Sequence, residues 1–154
     1  PKRIKQGKNV TIIASSWMNV EANMAAKIIK KEHQLSLDIF DIRSSEALKN
    51  MDEIYQSVKK TGRCIIADND WLTSGLSGEI SHLIQKSCLK NLKSSIERLG
   101  FKQMPCPTSR NLEDYFYPNA FDIVRLVEKM LNLNECILEN YKLFSHETRF
   151  TGPF

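Results

Sequence analysis

The sequence predicts an α/β domain, a mostly parallel sheet with helices packed on both faces. Three observations predict it. Short, nearly continuous apolar runs occur at Val10–Ala14 and Cys64–Ala67, as strands covered on both faces require. Between such runs lie longer stretches whose apolar residues repeat with the period of a helix. The two kinds of segment alternate, and strand–helix alternation at these lengths folds as right-handed crossovers between parallel strands.

Each element can be read in order. Val10-Thr11-Ile12-Ile13-Ala14 is the first buried strand. Val20, Met24 and Ile28 follow at i, i+4 and i+8 with Ala25 and Ile29 beside them, one helix face running to about His33. Leu35, Leu37 and Ile39 alternate with Ser36 and Asp38, a second strand ending near Asp41-Ile42-Arg43. A weaker helix covers about 50–60, and Gly62 stops it. Cys64–Ala67 is the third apolar strand. Leu76, Ile80, Leu83, Ile84 and Cys88 stripe a helix from about Thr73 to Leu89. A fourth strand is expected at Ser95–Leu99, then an irregular stretch with Pro105, Pro107 and Pro118. The last helix opens at Asn119, with Asp122 as a box-like cap, and buries Ile123, Val127 and Leu131. The domain proper is therefore expected over 1–131. Residues 132–154 form a tail or arm with little periodicity.

Composition excludes several classes. At 154 residues one domain is expected, burying roughly two-thirds of its unfolded surface. The net charge of +4 is small and dispersed. Lys30-Lys31 and Lys59-Lys60 sit at helix C-termini, where the macrodipole favours cations, so no nucleic-acid partner is expected. Cys64, Cys88, Cys106 and Cys136 show no CxxC spacing and no neighbouring His pair, so no zinc or other metal site is expected. They read as reduced thiols in a cytoplasmic setting, Cys64 and Cys88 as small core residues. No apolar stretch approaches the roughly 18 residues of a membrane span, so no membrane partner is expected.

Ligands of parallel sheets bind beyond the carboxyl ends of the strands, which singles out three places. Asp41 and Arg43 could grip a ligand, but a local ion pair closing the strand is the plainer reading. Asp68-Asn69-Asp70, before Trp71, could hold a divalent metal for a phosphate substrate; a solvated strand-to-helix loop is the plainer reading. Thr73-Ser74-Gly75-Leu76-Ser77-Gly78-Glu79 could cradle a phosphate on backbone N–H groups. It is neither a dinucleotide fingerprint nor a P-loop, and close packing accounts better for Gly75 and Gly78. There is no GxSxG, and His33, His82 and His146 belong to a helix end, a helix surface and the tail. No catalytic residue is assigned.

Five segments in order resemble one family. Gly7-Lys8-Asn9-Val10-Thr11-Ile12-Ile13 resembles the GKDVTIV-type entry to the C-terminal domain of transketolase-like enzymes, and Phe40-Asp41-Ile42-Arg43-Ser44 their IDLRT strand end. Ser57-Val58-Lys59-Lys60-Thr61-Gly62-Arg63 is very close to their SVKKTGR. Trp71, Thr73, Gly75 and Glu79-Ile80 follow the W-x-TGG-x-G-x-EI pattern. Pro105-Cys106-Pro107, Leu112-Glu113 and Pro118 resemble the PxP…LE…P segment of the beta subunits of pyruvate and branched-chain 2-oxo acid dehydrogenases.

The resemblance implies a three-layer α/β/α sandwich with a five-stranded sheet and one antiparallel edge strand, formed by residues 2–6. It implies a parent that decarboxylates a 2-oxo acid on thiamine diphosphate and magnesium, with neither bound by this domain. The family's Gly-Asp-Gly magnesium motif, activating glutamate and catalytic histidine lie upstream, and this sequence contains no Gly-Asp-Gly. What remains is assembly, as part of a homo- or hetero-oligomer, with thiamine-binding domains or subunits and with an acyltransferase core as partners. The candidate contacts are Asp70, Trp71, Leu72, Thr73 and Glu79, with Pro107, Glu113 and Asp114 in the loop from Pro105. Ala47, Ser77 and Gly78 depart from the family pattern. So does Lys93, where some members carry acidic acyltransferase contacts, which argues against that docking. A chain opening at Pro1 inside a strand is expected of an excised domain. The alternative is a stand-alone interaction or regulatory subunit that pairs with separately encoded thiamine-binding chains. A phosphate- or metal-using enzyme centred on Asp68 and Asp70 is a third.

Overall fold

The computed structural model describes residues 1–143. Five strands form one sheet: β1 (Lys2–Lys5), β2 (Val10–Ala14), β3 (Leu37–Asp41), β4 (Cys64–Trp71) and β5 (Glu97–Phe101). Their spatial order is β1-β3-β2-β4-β5. β1 runs antiparallel to β3, and the other pairings are parallel. The helices are α1 (Met18–His33), α2 (Asp52–Thr61), α3 (Leu76–Cys88), α4 (Arg110–Phe116) and α5 (Ala120–Leu131).

The alternation hidden inside each apolar run builds the layers. Val10, Ile12 and Ala14 face α1 and α5 together with Leu37, Ile39, Ile65 and Ala67. Ile13, Phe40, Cys64 and Ile66 face the opposite way, toward Ile54 and Val58 of α2 and Ile80, Ile84 and Cys88 of α3. The result is an α/β/α sandwich. Glu21 of α1 accepts the Ala120 N–H at 2.9 Å, joining α1 to the start of α5.

The edge strand is held by charge. Asp38 is fully buried, which is tolerable only because donors surround it. Ser57 donates to Asp38 at 2.7 Å, Lys60 at 3.0 Å, and Arg3 of β1 lies 3.3 Å away. Thr11 extends the network to Ser57 and Thr61. β1 itself is mostly basic, which suits an edge that must not recruit further strands.

Several boundaries move. α1 begins at Met18, ahead of the first apolar repeat. α2 ends where Gly62 takes φ 71° and donates to the Val58 carbonyl at 2.7 Å. β4 runs on through Asp68-Asn69-Asp70 to Trp71, so these residues are strand rather than loop. Their backbone still follows β5 after a register shift, with Trp71 opposite Phe101. β5 lies two residues later than expected. The stretch read as irregular contains α4, a single short helix whose buried anchor is Phe116. Asn119 and Asp122 form the expected reciprocal cap on α5. Beyond α5 the chain turns at Asn132, and Cys136, Leu138, Tyr141 and Leu143 pack against the α1–α5 core.

Candidate functional site

At the carboxyl ends of β2 and β3, Ser15, Ser16, Asn19, Asp41, Arg43 and Leu76 line an open cleft of ≈ 470 Å³. Arg43 donates to Asp41 Oδ2 at 2.7 Å, and Asn19 donates to Asp41 Oδ1 at 2.7 Å. The pair closes on itself, as the local reading anticipated. Between β2 and β4, where the crossover direction reverses, the Ser15 hydroxyl donates to Asp68. Asp70 accepts the Trp71 N–H at 2.7 Å. Among the described residues, no three metal-ligating side chains converge on Asp68 and Asp70.

The small-residue segment before α3 is also committed internally. A Cβ at Gly75 would lie 2.0 Å from the Trp71 carbonyl oxygen, so only glycine fits. Close approach thus explains Gly75 but not Gly78, whose added Cβ would meet only the Arg98 guanidinium at 3.5 Å. Arg98 reaches from β5 to donate to the Ser77 hydroxyl at 2.9 and 3.1 Å and to the Leu72 carbonyl. Arg98 thereby ties β5 to the segment that opens α3.

Of the expected contact residues, Trp71 joins an aromatic cluster that periodicity did not reveal, with Leu72 and Thr73 beside it. Trp71 meets Phe101 edge-on at 5.8 Å and Phe116 at 5.7 Å. Phe116 stacks on Phe101 at 5.1 Å, and Tyr117 packs against both. Trp71 remains 39% exposed, beside exposed Met104, Leu112, Tyr115 and Tyr117 of the same connection. Thr73 is tied to this connection by Gln103 at 3.1 Å, and Leu72 packs over Gly100. Glu113 and Pro107 are half-buried, and Glu79 is exposed in the first turn of α3 and takes no part in the cluster. Glu113 belongs to α4 rather than to a loop; the Asp114 side chain, His146 and the tail from residue 144 lie outside what is described. The density of aromatics in Tyr115-Phe116-Tyr117 was the available signal for the missed residues.

A second gathering lies on the α1–α5 side. His33, Glu128 and Cys136 bring ligand-type atoms within 4.8 Å of one another. Burial would raise the Glu128 carboxyl, but the Cys136 N–H, the His33 ring, Arg125 and the Cys136 thiol together hold it below the usual carboxylate range. The Cys136 thiol is pushed up to about 11 by burial and by the Glu128 carboxylate.

The fold is thus a three-layer α/β/α domain whose strand-end carboxylates are bonded to protein donors and whose β4 ends in an exposed aromatic cluster. The family profile described as "Transketolase, C-terminal domain" matches residues 2–123, and the chain belongs to that family. Its relatives include the pyruvate dehydrogenase E1 component subunit beta of Rickettsia bellii, 30% identical over 129 residues that cover 84% of this chain and 39% of that protein. The mitochondrial pyruvate dehydrogenase E1 component subunit beta of Pisum sativum is 33% identical over 125 residues, 81% of this chain and 34% of that one. The chain thus spans well under half the length of these relatives. A solved split gene transketolase, described as an inactive beta4 tetramer, shares the fold with a TM-score of 0.69 at 23% identity, over 87% of this chain and 43% of that one.

The residues present do not fit a magnesium diphosphate. The carboxylates nearest the strand ends, Asp41, Asp68 and Asp70, are each engaged with protein donors. No described helix is long and apolar enough to cross a membrane.

Proposed function

We propose that this chain is the C-terminal assembly domain of a thiamine-diphosphate-dependent 2-oxo acid dehydrogenase beta subunit or transketolase-like enzyme, serving subunit association rather than cofactor chemistry. The observation that carries the proposal is the exposed aromatic face. Trp71 and Tyr117 pack on a stacked Phe101–Phe116 pair while staying 39% and 40% exposed, and Met104, Leu112 and Tyr115 of the connection that follows are exposed as well. Exposed aromatic surface of this kind marks an interaction site, and Trp and Tyr are the side chains that anchor one. Its partners are thiamine-binding domains or subunits of the same enzyme. The four cysteines are free thiols, which suits a reducing, cytoplasmic-type compartment. Docking of an acyltransferase finds no support at Lys93, whose side chain lies over Gly62.

Two measurements on the same preparation test the proposal. Light scattering should show concentration-dependent self-association, and Trp71→Ala should weaken it at least about tenfold. Calorimetric titration with thiamine diphosphate and magnesium should show no saturable heat. Association unchanged by Trp71→Ala, or a strict monomer at the highest soluble concentration, would remove the aromatic face from the reading. Micromolar cofactor binding would overturn the assembly role itself.

A further inference from the structure

Beside the α1–α5 seam His33 meets two side chains remote from it in sequence, Glu128 and Cys136. His33 is the last residue of α1, Glu128 lies in the closing turns of α5, and Cys136 follows in the segment that folds back. Glu128 is 1% exposed. Its Oε1 lies 2.9 Å from His33 Nε2 and accepts the Cys136 backbone N–H at 2.8 Å, while the Cys136 thiol is also hydrogen-bonded to this carboxylate. A ring nitrogen and a thiol thus converge on one buried carboxylate. Imidazole, thiolate and carboxylate from three elements are the donor set that a borderline divalent cation takes in place of protons.

We propose that His33, Glu128 and Cys136 form a binding site for a zinc-type divalent cation, with water in the fourth position. The spacing permits it. Tetrahedral bonds of about 2.0–2.3 Å place ligand atoms roughly 3.3–3.8 Å apart. The His33–Glu128 contact must widen by a few tenths of an ångström, and the Cys136 sulfur must close by about an ångström or less, within reach of a χ1 adjustment. Arg125 occupies the other side of the carboxylate, donating to Glu128 Oε2 at 2.6 Å and to the Cys136 carbonyl at 3.0 Å. That leaves Oε1 for the metal and orients both ligands from outside, as supporting groups at metal sites do. The Arg125 charge is offset by Glu135 at 3.5 Å. On binding, Cys136 gives up its thiol proton to solvent, and His33 ligates through the Nε2 lone pair with its proton on Nδ1. The metal would clasp the chain beyond α5 to the ends of α1 and α5.

Calorimetry with zinc on chelator-treated, dialysed chain near neutral pH should show one equivalent bound. Cobalt should give the visible bands of a tetrahedral ion and a thiolate charge-transfer band. Cys136→Ser and His33→Gln should each weaken zinc binding about a hundredfold, and Cys136→Ser should abolish the charge-transfer band. Cys136→Ser keeps the backbone N–H that bonds Glu128, so it should retain the fold by circular dichroism. Cys106→Ser, at the exposed cysteine, should leave binding unchanged. Absence of stoichiometric zinc binding, or binding that survives in both ligand variants, overturns the site.

Discussion

Glu128 carries its charge into a nearly dry position, and the surrounding donors decide what that does to stability. Its folded pKa is depressed, burial notwithstanding, by the Cys136 N–H, His33, Arg125 and the Cys136 thiol. A depressed carboxylate stabilises the fold fully above its ordinary pKa, and that contribution disappears as pH falls through the lower folded value. Glu128→Gln is therefore expected to lose about 2 kcal/mol at neutral pH, discounted for the partly exposed Arg125. Denaturant titrations across the acid range should show wild type and variant converging; a constant difference would contradict the assignment. The glycines give a second contrast at this scale. Gly75→Ala should cost about 1–3 kcal/mol, because the methyl meets a backbone carbonyl that cannot rotate aside. Gly78→Ala meets only a guanidinium and should gain about 0.5–1 kcal/mol of helix propensity. Thermal melts of the pair should move in opposite directions.

At the scale of elements, regular segments announce themselves when their burial is one-sided and repetitive. The α5 cap and the Gly62 stop are local devices, read from a few neighbouring residues and found in place. β4 outran its apolar core because, after an irregularity across Asp68, Asn69 and Asp70, it pairs again at Trp71 opposite Phe101, which composition does not report. α4 escaped notice because about two turns of helix anchored by Phe116 are too short to show a repeat. The segment beyond α5 also looked featureless, yet Leu138, Tyr141 and Leu143 pack on the core and Cys136 completes the shell of Glu128. A chain ended after Leu131 should therefore fold but lose about 3 kcal/mol, from exposed apolar surface and an under-bonded Glu128. Equal stability of the shortened and full chains, measured by urea denaturation, would show that the segment contributes nothing.

For the molecule as a whole, the sheet places its most apolar strand, β2, at the centre and its most basic strand, β1, at one edge. At the other end of the order, β5 carries the aromatic face that we assign to subunit contact. The order of β2 through α5 apart from α4, the layered class and the family were legible in the amino-acid sequence. Each rests on short-range periodicity, on caps, or on motifs spread through the chain. β1 has too few apolar residues to read as a strand and entered only through the family resemblance. Trp71 was singled out in the sequence, but the ring cluster it forms with Phe101, Phe116 and Tyr117 was not. The convergence of His33, Glu128 and Cys136 was invisible, since 95 residues separate His33 from Glu128. Local pattern is set by forces acting within a turn or a strand. Which distant side chains share one buried space is decided only when the layers close, because each contact then depends on crossover, register and packing together.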